Sequence, residues 1–149
     1  MENNLKFETT TMIHAPVTKV WQALTTSDII SRYFSGNKAV SEWNVGNSIM
    51  FKGEWEGEEY LGRGIILNRV PYKLFRFSYW SSLYHLENKS ENYVHVTYRM
   101  AEDGDETELI TSIERIPDEE MRAKLENKFN KVLENLKQLV ETEEFEAVS

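Results

Sequence analysis

The segment IHAPVTKVWQALT, Ile13 to Thr25, joins an extended run to a short helix that carries a tryptophan. Pro16 suits the first helical position, where a missing N–H costs nothing and the ring presets φ. Val17, Val20, Trp21 and Leu24 then recur at i, i+3, i+4 and i+7, which makes one apolar stripe. Upstream, Leu5, Phe7, Thr9, Thr11 and Ile13 alternate onto one face of a strand. A strand thus runs straight into a helix whose bulkiest side chain needs a burial site. What Trp21 packs on decides the fold.

Downstream, Ile29, Ile30, Tyr33 and Phe34 form a second short helical stripe, capped at Ser27 or Asp28 and ended by Ser35-Gly36-Asn37. Strands are expected over 48–55, 60–70, 73–80, 93–100 and 106–116. Between them lie a turn at 56–59, a turn at Pro71-Tyr72, a polar loop over 81–92 and a tight hairpin signal at 101–105. The period then changes. Met121, Leu125, Phe129, Val132, Leu133, Leu136, Leu139 and Val140 share one face of a helix from Pro117-Asp118 to roughly Thr142, about 37 Å long. Asp118, Glu119 and Glu120 sit in its first turn, where the helix dipole favours negative charge. Residues 143–149 read as a frayed tail, and no repeat or linker divides the chain, so 1–149 reads as a single domain.

This order predicts an α+β fold with a curved antiparallel sheet of six or seven strands wrapped around the long helix. The two short helices plug one end, with Trp21 as a core anchor between the first helix, the sheet and the long helix. One helix does not fill a wide curved sheet, which predicts a cavity between the two.

Composition narrows the function classes. The 149 residues carry 17 basic and 25 acidic side chains, a net charge of −8, with no basic block. Nucleic acid and anionic membrane surfaces both want clustered Lys and Arg, so neither is expected as a partner. The absence of cysteine excludes disulfides, thiolate catalysis and Cys-ligated metals. His14, His85 and His95 lack metal-ligand spacing, and no metal or cofactor is expected. The N-terminus has no signal-like apolar segment and no run is long enough to span a bilayer, so a cytoplasmic protein is expected.

Several motifs in order resemble the START-like, or SRPBCC, superfamily with its helix-grip (Bet v 1/START-like) fold, and within it the family named for the activator of Hsp90 ATPase. Ile13, Ala15, Pro16, Val20, Trp21, Ala23, Leu24 and Thr25 match its N-terminal signature, and Tyr33-Phe34 loosely matches a downstream aromatic pair. Val45-Gly46-Asn47 resembles a V-G-G element, with Asn47 for the second glycine. Gly64 to Leu74 resembles a G-x-V-L-x-V-x-P-P-x-x-L stretch that keeps Pro71. Lys128 to Lys137 resembles G-W-x-x-V-L-x-N-L-K, with Lys128 for the glycine and Phe129 for the tryptophan. The departures at Asn47, Lys128 and Phe129 point to an altered pocket or turn within the same fold.

The resemblance implies noncatalytic binding of a small hydrophobic or amphipathic ligand between sheet and long helix. It also admits a protein-interaction module of the chaperone-activator type, although the eukaryotic activators carry a further N-terminal domain that this sequence lacks. A cyclase- or dehydratase-like enzyme is the third class, and it needs an acid–base pair inside the cavity. Trp43, Trp55 and Trp80 fall at strand ends or connections where they can rim a pocket. Phe129 and Leu133 are core residues that can also wall it. His85 lies in the loop beside Trp80, Ser81 and Ser82, without the G-x-S-x-G elbow of a serine nucleophile. Arg63 shares strand parity with Leu61, Ile65 and Leu67 and points either into the interior, where it needs an anionic partner, or to solvent. No catalytic residue is expected. An apolar patch on the outer sheet face would favour a protein partner over a pocket ligand.

Overall fold

The computed structural model describes residues 5–34, 38–55, 57–84 and 86–143. β1 (Leu5–Ile13) leads into α1 (Val17–Thr25) and α2 (Ser27–Tyr33). Then come β2 (Lys38–Val40), β3 (Ser48–Trp55), β4 (Glu58–Val70), β5 (Leu74–Ser81), β6 (Val94–Asp103), β7 (Glu106–Ile116) and the long α3 (Glu119–Thr142). The strands form one antiparallel sheet of seven in the order β1-β7-β6-β5-β4-β3-β2. Its inner face buries Phe51, Phe75, Phe77, Tyr79, Tyr98 and Ile113 in one core with Leu125, Phe129, Leu133 and Leu136 of α3. This is the helix-grip arrangement.

Local chemistry accounts for the element ends. The Asp118 carboxylate accepts the Met121 N–H at 2.8 Å, and Glu119 and Glu120 occupy the first turn of α3, so cap and dipole act together. The β6–β7 ladder closes at Asp103 against Glu106, leaving a two-residue loop in which Gly104 takes φ 64°. That left-handed geometry matches the sheet twist and is easiest for glycine. The strand therefore runs three residues further into the hairpin than its hydrophobic pattern suggests. Pro16 is the extended N-cap of α1 (ψ 154°) rather than its first helical residue. Thr26, extended between the two short helices, caps α2 in place of Ser27 or Asp28, and no side chain completes that cap. β2 was not anticipated, because three residues are too few to show a period. The expected stop at 35–37 and the tail from 144 onward lie outside the described residues.

Trp21 is buried, and its ring packs edge-on to Phe75 of β5 (centroids 6.1 Å apart, 84°) and to Tyr72 of the β4–β5 turn (6.1 Å, 65°). The Arg69 guanidinium lies 5.3 Å from the ring centre. The helix is thus anchored on the sheet at its β4–β5 corner, where Tyr72 adopts φ 67°.

β4 and β5 approach unusually closely. A Cβ on Gly64 would lie 1.7 Å from the Ser78 carbonyl oxygen, and one on Gly62 would lie 3.1 Å from Tyr79 Cε1. Only a residue without a side chain fits at position 64. The two glycines hold inward positions of β4 between Tyr60 and Ile66, which turns Arg63 and Ile65 outward. Gly64→Ala is expected to destabilise the domain by about 3 kcal/mol, read as a lower urea midpoint; an unchanged midpoint would mean the two strands separate freely. Trp21→Ala is expected to cost about 3–5 kcal/mol in the same titration.

Candidate functional site

Among the described residues, chemically capable side chains gather on each face of the sheet. On the inner face, Phe34 stacks on Phe51 (5.4 Å, 22°) and meets Phe129 edge-on at 6.3 Å. Phe51 in turn meets Tyr79 at 5.5 Å, and Phe75 meets Phe77 at 5.5 Å. Into this aromatic packing reaches Lys128, only 6 % exposed. Its Nζ donates to Tyr79 Oη at 3.0 Å and lies 4.9–5.2 Å from the ring centres of Tyr60, Phe34 and Tyr79. Three π faces and a phenol oxygen thus surround the ammonium, the arrangement that makes a desolvated cation tolerable. Burial still pushes Lys128 down to about 7 and raises Tyr79 above the usual phenol range. The rings and the lysine stem pack between sheet and helix, with Lys128 at the position where the motif it resembles has glycine.

On the outer face lies a groove of about 540 Å³. Met50 of β3 and Ile65 and Leu67 of β4 supply apolar surface, and Tyr93, Asn88 and Ser90 of the 82–93 connection wall it. Arg63, Ser78, His95 and Arg115 supply the polar groups. Ser78 Oγ accepts the Ile65 N–H at 3.0 Å, which helps to set the β4 backbone beneath the groove. The connection is itself tied down: Trp80 Nε1 donates to the Leu86 carbonyl at 3.1 Å, and the Trp80 ring stacks on Tyr93 at 6.5 Å. Ser81 and Ser82 accept the backbone N–H groups of Leu83 (3.1 Å) and of Leu61 in β4 (2.9 Å), so one hydroxyl serves a turn and the other ties the connection to the sheet.

His95 stands between two arginines. Arg76 Nη2 approaches its Nδ1 at 2.9 Å and Arg115 Nη1 approaches its Nε2 at 3.3 Å. Burial, then Arg76, then Arg115 hold His95 below its ordinary value, with Glu114, its partner across the β6–β7 ladder, opposing them. Arg115 reaches this place through a kink. The pairing of β1 with β7 slips between Phe7↔Ile113 and Leu5↔Ile116, and within the slip Arg115 takes φ 67°. A bulge of this kind re-aims a side chain at some cost in backbone strain.

The residues singled out in the sequence fall in different places. Arg63 is exposed and lines the outer groove, which resolves its two readings toward the outer face. Trp80 is buried beside that groove under the connection. Trp43, at φ 63°, is half-buried against Phe75 (6.2 Å) on the inner side. Phe129 and Leu133 are buried in the core. His85 and the Trp55 side chain lie outside the described residues. His14 is exposed beside Glu106 and outside both places. His95, read from the sequence only as a histidine without metal-ligand spacing, joins Met50, Ile65 and Arg115 in the groove; alternation with inward residues gives the direction of the first three, whereas that of Arg115 depends on the bulge. Asn47, in place of a glycine, closes its turn by accepting the Asn44 N–H through Oδ1 at 3.1 Å.

The sheet gripping a long C-terminal helix defines a START-like domain. The chain belongs to the family described as Activator of Hsp90 ATPase homolog 1-like protein, whose model matches residues 14–141. A Cytophaga hutchinsonii protein solved in solution is 33% identical over 95% of this chain and 97% of its own, with a TM-score of 0.78. The Aha1 dimer of Colwellia psychrerythraea (18% identity, 93% and 97% covered, TM-score 0.75) shares the fold. So does an HSP90 activator from Plasmodium falciparum (17% identity, 91% and 96% covered, TM-score 0.76). No curated protein matches the chain. Among the described residues, no helix is long and apolar enough to cross a membrane.

The buried lysine has a pH signature. Lys128 titrates lower in the folded state than in the unfolded chain, so between about 7 and its ordinary value the unfolded chain holds more protons. Stability therefore rises with pH across that window. Above the ordinary phenol value the sign reverses, because burial raises Tyr33, Tyr79 and Tyr98 and only the unfolded chain ionises there. Lys128→Met, which keeps the stem without the charge, is expected to abolish the rising limb and to be at least as stable as the native chain at neutral pH. Urea midpoints measured across the alkaline range check this; a rising limb that persists in the variant would assign it to another group.

Proposed function

We propose that this domain is a noncatalytic binding module for a small amphipathic molecule and that the binding site is the outer groove. One observation supports this reading above others: a groove of about 540 Å³ pairs an apolar floor with convergent polar groups. Ligand sites are on the order of 300–1,000 Å³ and combine those same two elements. The inner face, by contrast, is packed with rings and with Lys128. Lys128 and Tyr79 make an interior pair with acid–base character, yet Phe34 and Tyr60 close around it, so the enzyme reading has less support than binding. The module is proposed to work in the cytoplasm.

A second reading has its own observation. Val40, Met50 and Ile65 are 64%, 38% and 48% exposed and share the outer face near the β2 edge. A stripe of this kind favours a protein partner, and the chaperone-activator relatives suggest which. Purified Hsp90 with this protein separates the two: stimulation of its ATPase supports the partner reading, and an unchanged rate supports the ligand reading.

The groove itself is tested with the neutral fluorescent probe N-phenyl-1-naphthylamine. The expected result is saturable binding, abolished by Ile65→Asp and unaffected by Leu139→Ala on the far helix. Ile65 is exposed, so its substitution leaves the core intact. Binding that survives Ile65→Asp would move the site elsewhere.

A further inference from the structure

The outer groove ends in a set of hydrogen-bond donors that form no ion pair among the described residues. A neutral imidazole has one nitrogen that accepts and one that donates. It can therefore accept from only one of its two arginines, and assigning that role to the shorter contact, from Arg76 Nη2 to Nδ1 at 2.9 Å, leaves the hydrogen on Nε2. That N–H then faces the Arg115 guanidinium across 3.3 Å, donor against donor. Arg63 opens into the same groove from β4. Among the described residues, no carboxylate is within ion-pair distance of Arg63, Arg76 or Arg115, and Arg76 Nε is buried without a partner. This happens in a chain of net charge −8, whose other surface charges are largely acidic. Holding two guanidinium groups against one imidazole, with a third opening into the same groove, costs electrostatic energy that Glu114 offsets in part and a bound anion would offset further.

We infer that the groove selects amphipathic anions, with a carboxylate, sulfonate or phosphate head held by Arg63, Arg115 and His95 Nε2–H and an apolar body lying on Met50, Ile65 and Leu67. The inference rests on the groove being the binding site and adds the sign of the ligand's charge. A planar oxyanion accepts two parallel N–H bonds from a guanidinium, and an imidazole N–H supplies a further donor. The kink that aims Arg115 into the groove fits this role, since its backbone strain persists where the surrounding structure requires the side chain to be placed. The apolar floor supplies affinity without sign, and the cationic end supplies discrimination.

A matched pair of probes tests the inference. 8-Anilinonaphthalene-1-sulfonate and N-phenyl-1-naphthylamine share the same aromatic body and differ in the sulfonate. The native chain at physiological salt is expected to bind the sulfonate about tenfold or more tightly, the range of a charge-assisted hydrogen bond. Arg115→Gly, which accepts the left-handed backbone without strain, and Arg63→Gln, at an exposed position, are each expected to shrink that gap, read as the ratio of the two probes' affinities in each variant. The His95 ring signals give an independent readout by nuclear magnetic resonance. The charged groups acting on that ring are Arg76 of β5 and Arg115 and Glu114 of β7, and Arg63 of β4 lines the same groove. Bound sulfonate is expected to shift the His95 titration upward, which the neutral probe does not do. Equal affinity for the two probes overturns the charge selection and leaves the groove as a neutral site. A preference for the sulfonate that both arginine variants retain also overturns it, because the anion then binds elsewhere. Failure of both probes to bind the native chain removes the groove as a ligand site, and the inference with it.

Discussion

The close approach of β5 to β4 at Gly64 is the constraint from which both faces of the sheet follow. With the Ser78 carbonyl filling the space a side chain would take, β4 cannot carry anything larger than glycine at that inward position. Tyr79 then lies tight over Gly62, and its hydroxyl meets Lys128 on the inner side. On the outer side the same pleat presents Arg63 and Ile65. One backbone contact thus sets the position of the interior lysine and the floor of the groove together. The two are coupled, since Tyr79 and Ser78 are consecutive residues of β5 on opposite faces and any displacement of the strand moves both.

The interior illustrates how a cation is accommodated without a surface. Lys128 sits on the buried face of α3, between Leu125 and Val132, where the apolar pattern calls for a hydrocarbon. Its stem supplies one, and the ammonium is met by Tyr79 and by the π faces of Phe34 and Tyr60. Each of those rings also packs on apolar neighbours, so the aromatic content of the chain serves a core that must be both dry and polarisable.

Much of the fold was legible in the residues. The alternation of β1, the stripe of α1 and the long period of α3 each describe a local element whose geometry repeats along the chain, and the structure follows them. The misses have physical causes. β2 is three residues long, shorter than any period, and exists because β3 offers it an edge to pair with. The cap at Thr26 arises because α2 starts immediately after α1, so the chain has a single extended residue in which to turn. Arg63 was ambiguous because glycines hold the inward positions around it, and glycine reads as a gap in a hydrophobic pattern rather than as its core side.

The candidate site was less legible. Arg63, Arg76, His95 and Arg115 lie on four different strands, and nothing in their spacing along the chain links them. Alternation alone tells that Arg76 points away from Phe75 and Phe77, and His95 away from Val94 and Val96. Which of them become neighbours depends on strand register, and the direction of Arg115 depends on a bulge between β1 and β7. The sequence by itself determined the elements, the inner and outer faces of most strands and the family, because these rest on local periodicity and short motifs. The tertiary structure alone decided that an acidic chain carries a cationic groove, because that depends on the lateral pairing of residues far apart in sequence.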